Sequence, residues 1–218
     1  TVQNLSFHYN QKEIFHNINC TFEKGKKYLI VGPSGSGKST LLSLLTGQLP
    51  LQNGSITLDG HPLNQLSTAA LHQLILLSPQ EPYLFDWTIA ENIRLFRPIA
   101  EERIETWLDQ VGLCQKIRSL PNGIHTRFGE GGNELSGGEK QRAALVRALA
   151  RNAPILLLDE CTSHLDAVTA KRVEDLLLQL QDTTVILVSH NPSHALRHAV
   201  DKVFVMQNGV LTDEVVGK

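Results

Sequence analysis

The sequence predicts an α/β fold: a parallel sheet covered by helices on both faces, an N-terminal antiparallel β subdomain, and an inserted α-helical subdomain. Three observations predict it. Continuous apolar runs such as ILLLD (155–159) and TVILVS (184–189) are separated by helical stretches, the pattern of strands buried on both faces. A glycine-rich loop, GPSGSGKST (32–40), joins the β-rich run KYLIV to the helical run STLLSLLTG. From Pro79 to about Gly132 helical stretches alternate with loops carrying Pro98, Pro121, Asn122 and Gly123.

Taken in order, Val2–Tyr9 alternates loosely and Ile14–Phe22 is β-rich, so both read as strands, followed by Lys27–Val31. A helix is expected from near Lys38 to about Thr46, ending before Gly47. Ser55–Leu58 is a short strand closed by the turn signal Asp59-Gly60. Ala69–Gln73 reads as helix and Leu74–Ser78 as strand. In the inserted lobe the helices are Thr88–Leu95 and Glu101–Val111. A long helix follows Ser136, then the strand Ile155–Asp159, the helix Ala167–Gln179 and the strand Thr184–Ser189. A helix near Ser193 is expected to use Asn191 as its cap and Pro192 as its first residue. Asp201–Met206 and Val210–Val215 form a closing hairpin around Asn208-Gly209. The chain thus reads as one domain over 1–218: a core with its β subdomain in 1–78 and 152–218, and a helical subdomain in 79–151.

Composition narrows the class. The chain has 218 residues, enough to bury a sizeable core, and its 41% hydrophobic and 19% charged content is that of a globular protein. A net charge of −2, with no Lys/Arg block, argues against electrostatic nucleic-acid binding. Cys20, Cys114 and Cys161 are scattered and form no CxxC pair, which points to a reducing compartment without disulfides or a zinc knuckle. No apolar run approaches the ~20 residues of a membrane helix, and no signal peptide is visible. The chain starts at Thr1 and enters strand-like sequence at once, so it is expected to be cut from a longer polypeptide.

The chemistry begins at the glycine loop. Gly32-x-x-x-x-Gly37-Lys38-Ser39 fits the P-loop pattern, with a strand before it and a helix after it. Across Gly32, Pro33, Ser34, Gly35, Ser36 and Gly37, backbone N–H groups can turn inward around phosphate oxygens without Cβ clashes. Lys38 can reach the terminal phosphates, Ser39 can ligate Mg²⁺, and the helix start through Thr40 adds a favourable dipole. The strand ILLLDE (155–160) delivers two carboxylates to the edge where such sheets bind ligands. Asp159 is the natural partner of Mg²⁺, and Glu160 is placed to polarise an attacking water. A second anion-type helix start stands at LSGGEKQR (135–142), with Ser136, Gly137 and Gly138 at its head. Ser136-x-x-Glu139 is also a capping box, so Glu139 is expected to turn back to the Ser136 amide instead of facing phosphate.

In order and spacing these residues resemble the nucleotide-binding domain of ABC transporters, over nearly the whole chain. The resemblance implies a RecA-like P-loop NTPase core. It makes GPSGSGKST the Walker A loop, ILLLDE the Walker B strand with its glutamate, and LSGGE the signature motif. It further implies that Gln80 is a metal-sensing glutamine that ligates Mg²⁺ when the helical lobe swings in, that SHLD (163–166) with Asp166 is the D-loop, that His190 holds the γ-phosphate and keeps the water or Glu160 in place, and that Tyr9 stacks on adenine. The stretches SPQEPYLFDWTIAENI (78–93) and 120–149 are similar to the exporter branch, which implies that the Gln80–Phe85 region and the Glu130 loop meet transmembrane domains.

By that resemblance the chain binds Mg²⁺ and ATP and hydrolyses ATP with Lys38, Glu160 and His190. It pairs head to tail with a second nucleotide-binding domain, each LSGGE capping the phosphate in the partner's loop, and it lies on the cytoplasmic face of a membrane. Alternatives from other classes are an ABC ATPase of DNA repair or translation and an inactive regulatory module. Long coiled-coil or zinc insertions would mark the first. Loss of Glu160 or His190 would mark the last. Three residues depart from the family pattern: Glu139, Cys161 and His164. Cys161 reads as a small buried filler. The pair His194 and His198, four apart, reads as a surface helix face.

Overall fold

The computed structural model describes residues 1–128 and 135–214. The chain opens with β1 (Val2–Tyr9), β2 (Lys12–Cys20) and β3 (Lys27–Val31), which feeds α1 (Lys38–Leu45). Then come β4 (Asn53–Leu58), β5 (His61–Pro62), α2 (Thr68–Leu74) and β6 (Ile75–Ser78). Helices α3 (Ile89–Arg94), α4 (Glu101–Gln110), α5 (Cys114–Arg118) and α6 (Gly137–Arg151) follow. The last elements are β7 (Ile155–Asp159), α7 (Ala167–Leu178), β8 (Thr184–Ser189), α8 (His194–Ala199), β9 (Lys202–Gln207) and β10 (Val210–Glu214). The expected strands and helices lie within two or three residues of these bounds. The short α5 and β5 have too little periodicity to be seen in the sequence.

Two sheets organise these elements. One is antiparallel with order β2-β1-β4-β5, and the other has six strands in the order β10-β9-β3-β8-β7-β6. In the second, β3 runs parallel to β8 and β9, and β7 runs parallel to β8, while β10 closes the edge as an antiparallel hairpin with β9. The residues of β3, β7 and β8 are almost all buried, as strands covered on both faces require.

The chain forms two compact units: Thr1–Leu77 with Ala153–Glu160 and Gln181–Lys218, and Ser78–Asn152 with Cys161–Leu180. The sequence reading differs here, because it keeps 161–180 with the core. That stretch carries α7, which packs on α4 of the helical unit, and chain order alone does not reveal such a partner. In the first unit Leu41, Leu42 and Leu44 of α1 are fully buried along with Phe15, Ile30 and Phe204. Each such side chain contributes about 1.5–3 kcal/mol of burial. In the second unit α3 packs on α6 and α4 packs on α5, burying Ile89, Ile93, Ile104 and Leu108.

The start of α8 corrects one expectation. Its cap is Ser193, whose Oγ accepts the Leu196 N–H at 3.0 Å, and the helix begins at His194. Asn191 and Pro192 precede the helix, since the serine hydroxyl lies at the right distance from a free first-turn donor. Among the described residues no helix is long and apolar enough to cross a membrane. Glu130 and its loop lie outside the described residues.

Candidate functional site

Strand order explains how distant residues meet. β3, β8 and β7 are neighbours, and their C-terminal ends carry the glycine loop, His190 and the Asp159–Glu160 pair. Register fixes the level: Val31 lies opposite Ser189, and Asp159 opposite Val188. The site is therefore assembled within the first unit.

The loop from 32 to 37 needs glycine at particular places. A Cβ on Gly32 would stand 2.1 Å from the Met206 carbonyl oxygen, so only glycine lets the loop leave β3 beside β9. Gly37 has φ +102°, and a Cβ there would meet Ile14 Cγ2 at 2.8 Å. Gly37 is also the cap of α1 and offers no side-chain bond to the helix start. The first-turn N–H groups of α1 are thus left for a ligand, where the helix dipole favours an anion. Lys38 is buried, and its Nζ donates to the carbonyls of Gly32 and Pro33, both at 2.8 Å. Burial lowers its pKa, and the nearby Glu160 and Asp159 charges oppose that shift. The hydroxyl of Ser36 is buried without a partner.

The two carboxylates differ in surroundings. Asp159 is buried, and burial pushes its pKa up, with a hydrogen bond from Ser39 working the other way. Its Oδ1 is buried without a hydrogen-bond partner. An orphaned carboxylate oxygen beside a serine hydroxyl fits a hard cation with oxygen ligands, so the residues present suit Mg²⁺. Glu160 is also buried and has φ +53°, a left-handed conformation uncommon for a non-glycine residue. Its N–H is held by the Val188 carbonyl at 3.0 Å. Its Oε1 accepts the His190 N–H at 2.9 Å and faces His190 Nδ1 at 2.9 Å. The His190 ring is half exposed. With Nδ1 turned to Glu160, Nε2 is the nitrogen available to a ligand.

Tyr9 is connected to this loop through a row of rings. Phe15, which touches the space beside Gly37, lies 6.1 Å from Phe7, and Phe7 meets Tyr9 edge-on at 5.0 Å. Tyr9 is exposed at the end of that row, not in the core, as a stacking surface requires.

The other expected residues belong to the second unit. Ser136 Oγ accepts the Glu139 N–H at 3.3 Å, and Glu139 Oε2 accepts the Ser136 N–H at 2.7 Å, a complete capping box at the start of α6. Gly138 lies close to the loop at 164, where an added Cβ would come within 3.1 Å of the His164 carbonyl oxygen. Asp166 caps α7, its Oδ1 accepting from Val168 and Thr169 at 3.1 and 3.0 Å. The carboxylates of Glu139 and Asp166 are thus both engaged by helix starts, and for Glu139 this is the capping role expected from the sequence. The Gln80 carbonyl accepts from the Gln141 side chain at 3.3 Å. Cys161 is buried, as a small filler would be.

One residue escaped the sequence reading. Asn92 is fully buried, and its amide accepts from the Phe85 N–H at 2.8 Å and donates to the Phe85 and Thr88 carbonyls at 3.0 Å. It pins a loop that presents Tyr83, Phe85 and Trp87, with Phe96 edge-on to Trp87 at 5.3 Å. The available signal was its spacing: Asn92 stands three residues after Ile89 and beside Ile93, on the apolar side of the helix.

The ABC transporter family matches residues 15–163. The chain belongs to that family. It is 42% identical over 217 residues to "ABC transporter B family member 13" of Arabidopsis thaliana, covering 95% of this chain and 17% of that protein. It is 41% identical to the "ATP-dependent lipid A-core flippase" of Saccharophagus degradans, covering 97% of this chain and 36% of that one. Among solved structures, a bacterial Atm1-family ABC exporter with ATP bound superposes with a TM-score of 0.88 at 33% identity, over 97% of this chain and 37% of that chain. The chain therefore spans well under half the length of these relatives. Its fold is that of the ABC ATPase domain, a P-loop NTPase, and its family role is to bind ATP.

Proposed function

We propose that this chain is the ATP-hydrolysing motor of an exporter-type ABC transporter, and that it works as a head-to-tail pair driving transmembrane domains. The observation that carries the proposal is the Glu160–His190 pair. A buried carboxylate in a left-handed backbone is held by two bonds at the same sheet edge as the P-loop. Strain kept at such a position is typical of sites where the surrounding structure over-determines a working geometry.

In this reading the α1 amides and Lys38 bind and orient the phosphate chain, and Tyr9 stacks on the base. Ser39 and Asp159 would hold Mg²⁺, which when bound supplies neutralisation of phosphate charge. Glu160 orients the attacking water and takes its proton. The His190 N–H and ring fix the Glu160 carboxylate, while Nε2 faces the phosphate end. Donation from Nε2 to a phosphate oxygen requires the doubly protonated ring, since Nδ1–H is committed to Glu160. The Ser136–Gly138 start closes on the phosphate of a partner chain. The Gln80–Phe85 surface with its aromatic side chains receives the transmembrane part, which places the domain on the cytoplasmic face of a membrane. The relatives' exporter names support the transport role.

The test is phosphate release from Mg-ATP by the wild type and by Glu160→Gln. The proposal expects turnover to fall by about 10²–10⁴-fold with ATP binding retained. Release at the wild-type rate in the variant would remove Glu160 from the mechanism.

A further inference from the structure

α8 carries two histidines on one side, four residues apart. The structure brings His198 Nε2 to 3.1 Å from His194 Nε2, with ring centroids 4.3 Å apart. Both rings are exposed. We infer that His194 and His198 form a bidentate site for a borderline divalent cation, with copper(II) as the strongest ligand-field match and zinc weaker.

The geometry argues for it. Metal–imidazole bonds are about 2.0–2.1 Å long, so two nitrogens 3.1 Å apart give an angle of about 98° at the metal. That lies between square-planar and tetrahedral values, within reach of copper(II), nickel(II) and zinc(II). Without metal, one Nε2 must donate its proton to the other. On binding, the donating ring shifts that proton to Nδ1, so both Nε2 lone pairs face the cation and no net proton is released. The only arginine of the helix, Arg197, is drawn away by two 2.8 Å bonds to Glu214. No group of three or more metal-type ligands exists among the described residues, so water completes the coordination shell and the cation exchanges readily. The three cysteines are buried and compete poorly for it.

The position gives the site a consequence. α8 has only six residues, too few to be stable by itself, and its capping Ser193 follows soon after His190. A cation bridging residues one turn apart would staple that turn and steady the segment behind the Glu160–His190 pair.

The test uses the nucleotide-free protein titrated with copper(II) chloride, read by electron paramagnetic resonance and by hydrogen exchange. The expected result is one copper per chain with a nitrogen-ligated spectrum and increased protection confined to 190–199. His194→Asn and His198→Asn should each weaken binding by about tenfold or more, since the second ligand is held at high effective concentration only in the pair. His164→Asn should leave it unchanged. Equal binding by wild type and the two α8 variants, or protection spread over the chain, would overturn the site. Neither result depends on ATP hydrolysis.

Discussion

Two helix starts in this chain look alike in sequence, and the structure treats them differently. At α1 the cap is Gly37, left-handed and without a side chain to bond the helix, so the first-turn donors stay open beside Lys38. At α6 the cap is Ser136, and Ser136 and Glu139 bond each other's N–H groups. The first start is a complete phosphate cradle. The second is self-capped and lacks a lysine at the matching position, so it offers Gly137 and Gly138 amides and a hydroxyl to a phosphate held by something else. That contrast fits the proposal of one nucleotide cradle per chain, with the α6 start acting as a lid on a partner's phosphate.

Substitutions can break or sharpen that contrast. The largest effect is expected at the cradle: Gly37→Ala should abolish ATP binding, because a Cβ meets Ile14 at 2.8 Å and the backbone has φ +102°. Equilibrium dialysis with labelled ATP measures it, and binding at wild-type affinity would show that the loop tolerates a side chain.

Asp159→Asn should separate function from stability. Burial raises the Asp159 pKa, so the folded value lies above the unfolded one. Its contribution is then fully present below the usual carboxylate range and is lost as pH rises through the raised value. The asparagine variant escapes that loss. At pH 7 it should melt higher than wild type while losing Mg²⁺-dependent ATP binding. A lower melting temperature at pH 7 would contradict the burial argument.

At the lid, Ser136→Ala should cost about 1 kcal/mol of stability through the lost cap, seen in urea unfolding, and leave ATP binding to the single chain intact. The smallest effect belongs to Glu139→Gln. Glutamine can keep the capping box, so nucleotide affinity should change by less than about twofold. A large gain in ATP-driven pairing would mean that Glu139 faces phosphate after all.

Much of the cradle was legible because its chemistry is local. The Gly32–Ser39 spacing between a strand and a helix carries its own meaning, and ILLLDE ends in carboxylates wherever the strand lies. The sequence offered Glu160 as one of the groups His190 could hold, but not the form of the bond. Its partners are 30 residues apart and meet because β7 and β8 are neighbours. The left-handed backbone at Glu160 leaves no trace in a residue type that rarely adopts it. At α8, Asn191-Pro192 imitates a helix start, and only the three-dimensional reach of the Ser193 hydroxyl decides against it. Asp166 was read through its motif, and its second role, capping α7, was not. The grouping of 161–180 with the helical unit follows from packing, which chain order does not disclose.

The central claim is that the cradle of one chain is closed by the lid of another. Size-exclusion chromatography with light scattering on Glu160→Gln tests it most directly, with and without saturating Mg-ATP. The account expects a monomer without nucleotide and a dimer with it, and the dimer should disappear when Ser136 is replaced by a bulky residue. A monomer under both conditions, with ATP shown to be bound, would contradict it.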